Sequence, residues 1–147
     1  MKNLRQILIY LLLLSVTLPV FSQNAERTLV KSFMLAGTNA VQLDIDGEWT
    51  VQTWAQDNVR IQLQVTLENA NETNLNSLIM SRRYDLKSRI ENDELVIFAP
   101  GLQYKPTISG RTYKEKISIL VSAPERILVN QKEREARIGF GNMMPGQ

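Results

Sequence analysis

Residues 58–67 read NVRIQLQVTL. Val59, Ile61, Leu63, Val65 and Leu67 alternate with Arg60, Gln62, Gln64 and Thr66. A period of two sends successive side chains to opposite faces of a strand. One face is therefore apolar and the other polar, the pattern of a sheet packed on one side and wet on the other.

The same period recurs on both sides of this run. AVQLDI (40–45) sets Val41, Leu43 and Ile45 on one face, and YDLKSRI (84–90) sets Tyr84, Leu86 and Ile90 against Asp85, Lys87 and Arg89. KEKISILVSAP (114–124) aligns Ile117, Ile119 and Val121 and ends at a proline. ELVIFAP (94–100) is apolar on both parities, as a strand covered on both faces would be, and also stops at a proline, which cannot donate to a ladder. Shorter strand candidates are residues 29–35, 107–109 and 126–129. One segment departs from the rule: in NETNLNSLIMSRR (71–83), Leu75, Leu78, Ile79 and Arg82 fall at helical spacing, with Thr73 ahead of them as a cap. The spacing predicts a short helix over 74–82. Roughly eight strands and one helix with short connections predict an all-β domain. It is either a two-layer antiparallel β-sandwich or a single short β-solenoid-like unit, since both share this alternation.

Parity also tests the turns. A two-residue hairpin at Asp46-Gly47 would pair Leu43 with Thr50 and Val41 with Gln52, apolar against polar throughout. A three-residue loop, Ile45–Gly47, or a wider bend, instead brings Leu43 opposite Trp49 and Val41 opposite Val51, with Gly47 in the left-handed position. At Asn92-Asp93 a two-residue loop does fit, pairing Ile90 with Leu95 and Ser88 with Ile97.

Residues 1–22 have a different character. Lys2 and Arg5 precede an apolar run over residues 7–18, and Pro19-Val20-Phe21-Ser22 follows. A charged start, a short apolar run and a small-residue end are the order of a cleavable secretory signal. The run is shorter than the ~20 residues a spanning helix needs. The chain is thus expected to be exported, periplasmic or extracellular, with no membrane span once the signal is cleaved. The β-rich domain is expected over 28–130 and a flexible C-terminal tail over 131–147.

Of the 17 Lys+Arg, Lys2 and Arg5 belong to the signal, which leaves 15 against 15 Asp+Glu. A formally neutral mature chain gives no electrostatic footprint for nucleic acid. The chain has no cysteine and no histidine. No disulfide can brace it, so its core must hold the fold. Without either residue a Ser-His-Asp triad, a Cys-His dyad and a zinc site of the usual ligands are ruled out within one chain. Neither a cofactor nor a metal is predicted.

The run VQLDIDGEWTVQTWAQDNVRIQLQV (41–65), with ELVIFAP and ISILVSAPERILVN (117–130), resembles the bacterial adhesin-like domains, the group that includes the head GIN domain. The matching features are a strand like VQLDI, a turn at Gly47, an alternating strand ending at Trp54 before a polar turn at Asp57, and a further strand like VRIQLQV. The resemblance covers roughly residues 33–130 and implies a β-rich binding domain without catalytic residues. Such domains usually continue into Gly-rich, near-repetitive solenoid strands. Here RILVN runs instead into QKEREARIGFGNMMPGQ, which carries no repeat.

Candidate contact residues follow. Trp49 shares parity with Val51 and is expected in the core. Trp54 shares parity with Glu48, Thr50 and Gln52, and either contacts a ligand or folds over the sheet edge as a turn cover. In GLQYKPTISGRTYKEK (101–116), Tyr104, Lys105, Arg111 and Tyr113 lie on a loop that either binds an acidic or glycan ligand or is a plain wide hairpin. Asp44, Asp46 and Glu48 read as a solvated acidic turn, with calcium binding and carboxylate catalysis as the alternatives. Arg82, Arg83, Lys87 and Arg89 read as salt-bridged surface. Asn71-Glu72-Thr73 matches the N-glycosylation pattern by chance, and the tail is a candidate partner-binding segment. The expected function is that of a non-enzymatic, adhesin-like module of the cell envelope. Its partner would be an envelope protein, a second copy of itself or a glycan. A carboxylate-based glycan hydrolase, or an envelope-stress accessory protein without a ligand of its own, are the alternatives.

Overall fold

The computed structural model describes residues 23–132; the expected signal and residues 133–147 of the tail lie outside them. The elements are β1 (Ala25–Met34), β2 (Ala40–Asp44), β3 (Glu48–Thr53), β4 (Asn58–Glu68), α1 (Glu72–Met80), β5 (Lys87–Glu91), β6 (Glu94–Phe98), a 3-10 turn (Pro100–Gln103), β7 (Thr107–Ile108), β8 (Arg111–Thr112), β9 (Lys114–Ala123) and β10 (Leu128–Gln131). They form two four-stranded sheets, β1-β4-β9-β3 and β10-β2-β6-β5, and the small ribbon β7-β8. The all-β sandwich expected from the alternation is what forms.

β4 supplies the centre of the core. Val59, Ile61, Leu63, Val65 and Leu67 are all fully buried, and Val41, Leu43, Ile45, Ile119 and Val121 meet them from β2, its end and β9. Burying a side chain of this size is worth about 1.5–3 kcal/mol, so this cluster dominates the stability of a chain with no disulfide. β6 is buried at Leu95, Val96 and Ile97, as a strand apolar on both parities requires. The β5–β6 turn forms at Asn92-Asp93, both with positive φ (52° and 61°), and pairs Ile90 with Leu95 and Ser88 with Ile97.

Four expectations need correction. First, β2 and β3 are not hairpin partners: they lie in different sheets, and residues 45–47 arch from one layer to the other. Trp49 pairs with Ile119 of β9, and Leu43 with Ile97 of β6. Gly47 takes φ 151°, not a left-handed turn, and a Cβ there would stand 2.8 Å from the Ile117 carbonyl oxygen. Second, the ladders are mixed. β2–β6, β2–β10 and β3–β9 are parallel, whereas β1–β4, β4–β9 and β5–β6 are antiparallel.

Third, the helix starts earlier than its apolar spacing suggests, and Asn71 caps it instead of Thr73. The Asn71 side chain accepts from the Asn74 backbone N–H (2.9 Å), and the Asn74 side chain accepts from that of Asn71 (3.2 Å). Leu75 and Leu78 bury its inner face. It ends where Arg82 turns left-handed (φ 60°): Arg82 N–H donates to the Ile79 carbonyl (2.9 Å) and Arg83 N–H to that of Leu78 (3.2 Å). Fourth, that reversal displaces the expected alternation across 84–90. Tyr84 and Leu86 are buried in the connection, β5 begins only at Lys87, and Ile90 is exposed.

Candidate functional site

The sequence candidates fall at opposite ends of β9. Trp54 donates its backbone N–H to the carbonyl of Ala123, the last residue of β9 (3.1 Å). Tyr104, Lys105, Arg111 and Tyr113 lie on the connection that enters β9 at Lys114. A ten-residue strand separates the two groups, about 30 Å at the usual rise. Trp54 is half-buried over the Ala55–Asp57 turn. Its indole N–H donates to the Asn58 carbonyl (2.9 Å), and the Arg60 guanidinium lies 4.6 Å from its ring centroid. One ring face and the only donor of Trp54 are thus engaged within the chain. Tyr104 is 70% exposed and Lys105 is exposed, while Arg111 stacks 4.9 Å above the half-buried ring of Tyr113.

Arg83, read from the sequence as surface, is buried. Nε and Nη2 donate to the two oxygens of Glu115 (3.0 and 2.7 Å), and Nη1 donates to the carbonyls of Gly101 (2.8 Å) and Tyr104 (2.7 Å). The Tyr84 hydroxyl donates to the same carboxylate (2.6 Å). One guanidinium thereby ties the end of α1, the 3-10 turn and β9 together. Burial on its own would lower the Arg83 pKa, but the Glu115 carboxylate outweighs it and holds the value above the ordinary one. Burial, and then the bond to Glu115, raise the Tyr84 phenol well above its ordinary value. No sequence pattern marks this cluster; a helix stop followed by Arg83-Tyr84 is its only trace.

Next to it, the arch at 45–47 and the approach to β9 enclose a cleft of about 490 Å³. Asp44, Asp46, Glu48 and Glu115 line it, with Gly47, Leu102 and Lys116. The acidic turn is therefore concave. Asp44 pairs with Lys132 (3.7 Å), Glu48 with Lys116 (3.7 Å) and Glu115 with Arg83 (2.7 Å). No group of acidic residues placed to hold a metal occurs among the described residues.

The sheet edges differ sharply. β1 is flanked by α1 and its connection: Arg27 bonds Glu72 (2.9 Å) and Asn76 (3.2 Å), and Lys31 bonds the Leu86 carbonyl (2.6 Å). β5 carries Lys87, Arg89 and Glu91, charges that discourage a further strand. β3, at the opposite edge of its sheet, reads EWTVQT and has no charge after Glu48. Trp49 and Val51 are in register with the buried Ile119 and Val121, so they point between the layers. Yet Trp49 is only half-buried and Val51 is 45% exposed, because among the described residues no strand lies beyond them. β10 edges the facing sheet, with Val129 half-buried opposite Val41 and Leu128 exposed. Sequence reading placed Trp49 and Val51 inside and so missed them as surface, because alternation records a face and not its cover.

No family model matches the chain, and no curated protein matches its sequence. Solved structures do. A protein assigned to cell adhesion, from Clostridium sporogenes, matches at 12% identity and a TM-score of 0.38, over 73% of this chain and 48% of its own. A protein assigned as an adhesin, from Bacteroides fragilis, matches at 12% and 0.36, over 72% and 40%. One assigned to lipid binding, from Parabacteroides distasonis, matches at 10% and 0.33, over 71% and 37%. The chain spans less than half the length of each. Among the described residues no helix is long and apolar enough to cross a membrane.

Proposed function

We propose that the chain is an exported, non-enzymatic binding module of the cell envelope, adhesin-like in role, that takes a β-strand of an envelope protein onto the open edge of β3. The half-covered seam at Trp49 and Val51 carries this reading. An edge with no charge after Glu48 offers backbone donors and acceptors for a ladder, and the seam offers pockets for alternate side chains. Completing the burial of Val51 alone is worth about 1 kcal/mol.

The chain has no cysteine, so Thr50→Cys places a single thiol on β3. Oxidative or bifunctional crosslinking in intact envelopes is expected to trap one defined partner through it. Val51→Asp in the same chain is expected to abolish the product. Trapping that is unchanged by Val51→Asp, or binding that maps to glycans through Trp54 or Tyr104, overturns the reading.

The concave acidic turn favours one second reading, a glycan hydrolase using Asp44, Asp46 or Glu48. It requires release of reducing ends from envelope glycans that Glu48→Gln and Asp46→Asn abolish.

A further inference from the structure

β5 is the outer strand of its sheet, and among the described residues nothing pairs with its free side. All five of its residues are exposed, and α1 lies against β1 instead, where Arg27 holds Glu72 and Asn76. The free side has a defined geometry. Asn92 and Asp93 (φ 52° and 61°) close a two-residue turn, so Glu91 and Glu94 exchange their backbone hydrogen bonds. Alternation along an antiparallel ladder then turns the N–H and C=O groups of Ser88 and Ile90 away from β6, toward an incoming strand.

The side chains suit one strand in particular. Ile90 shares the inward face of its partner Leu95, which is 3% exposed, yet is itself 56% exposed. Lys87, Arg89 and Glu91 take the outward face, and Asp93 follows at the same parity. When β5 is set antiparallel to a second copy of itself with Ile90 opposite Ile90, Arg89 stands opposite Glu91 and Lys87 opposite Asp93, each twice by symmetry. Every charge from 87 to 93 then meets its opposite, and the two isoleucines cover each other. Sliding the copy by two residues sets Arg89 opposite Arg89 in one direction and Glu91 opposite Glu91 in the other. Sliding it by one puts the apolar faces out of step. Within one copy Arg89 and Glu91 pair at 3.1 Å with side chains 42% and 50% exposed, so both remain within reach of the second copy.

We propose that β5 pairs with β5 of a second copy of this chain, antiparallel and centred on Ile90, so that two four-stranded sheets join edge to edge. The charges that turn away a general strand select this one. One five-residue strand per copy makes a small interface, so the dimer is a weak one, with a Kd of roughly 10 μM to 1 mM. The contact lies in the other sheet from β3 and does not depend on the partner proposed there.

Sedimentation equilibrium of the exported chain reads the dimer directly. Arg89→Glu alone and Glu91→Arg alone each set like charges opposite one another twice, and each is expected to weaken dimerisation at least about tenfold. An equal mixture of these two variants brings opposite charges together again on both sides of the axis. It is expected to return to within about threefold of the native Kd, which mixing two misfolded variants would not do. A chain that stays monomeric at about 1 mM overturns the proposal. So does a mixture that associates no better than either variant alone. Association that Val51→Asp abolishes would place the contact on β3 and overturn it as well.

Discussion

Arg83 meets Glu115 through two parallel hydrogen bonds, and both side chains are more than nine-tenths buried, at 7% and 9% exposure. A buried charge stands only with its partner and its remaining donors satisfied, and here the Gly101 and Tyr104 carbonyls satisfy them. Arg83→Met leaves the Glu115 carboxylate buried with only Tyr84 to bond it. The expected loss is about 3–5 kcal/mol, read by urea denaturation. Arg83→Met with Glu115→Leu is expected to recover a large part of that loss, since it removes both charges. A double substitution as unstable as the single one would mean that Arg83 acts through the two carbonyls instead.

Tyr84 sets a pH dependence. Its phenol is raised in the folded chain by burial first and by Glu115 second. A folded value above the unfolded one gives stability that is complete below the unfolded pKa, about 10, and is lost as pH rises beyond it. The slope attributable to this group grows through pH 10 and approaches about 1.4 kcal/mol per pH unit above about pH 11. Melting curves between pH 8 and 11 are expected to show a steeper alkaline fall for the native chain than for Tyr84→Phe. Parallel curves would remove Tyr84 from the account.

How much of this was legible depended on whether a feature changes side-chain alternation. The inner face of β4 and the Asn92-Asp93 turn could be read, because burial and a two-residue loop each leave a parity signature. The partner of Trp49 could not. Leu43 and Trp49 both point inward from facing layers, and parity gives the same answer for two residues that face each other across a core as for two neighbours in one sheet. Parallel and antiparallel ladders also share one alternation, so the order β10-β2-β6 left no mark. Arg83 reads as surface because the left-handed turn at Arg82, which carries it inward, is announced by no glycine. In the candidate site, the acidic turn was legible as residues but not as a cleft, since Ala99, Leu102 and Glu115 come to it from distant parts of the chain.

Gly101 is fixed by the backbone it touches. A Cβ there would lie 2.4 Å from the Arg83 carbonyl oxygen and 2.6 Å from its Cα. Backbone atoms cannot swing aside, so Gly101→Ala must push the 3-10 turn off Arg83 and strain two of its hydrogen bonds. At Gly37 a Cβ meets nothing within 4 Å, and only its φ of 83° opposes a side chain. Gly101→Ala is expected to cost about 2–3 kcal/mol and Gly37→Ala about 1 kcal/mol in denaturant melts. Equal costs would show that the close approach at Gly101 relaxes freely.

Arg82 offers the opposite sign. It occupies the left-handed position at the end of α1, where its Cβ is unfavourable by about 1–2 kcal/mol and glycine is the usual residue. Its side chain is exposed, and the two bonds that close the helix are made by backbone N–H groups, which glycine keeps. Arg82→Gly gives back part of the gain, because the unfolded chain becomes more flexible. The net expectation is a stabilisation of about 0.5–1 kcal/mol, a rise of a few degrees in Tm for a domain of this size. Arg82→Ala keeps the Cβ and removes the charge, so it is expected to leave Tm within about 1 °C of the native chain. A rise with alanine as large as that with glycine would trace the effect to the crowded positive charges of Arg82, Arg83, Lys87 and Arg89, and not to the left-handed turn.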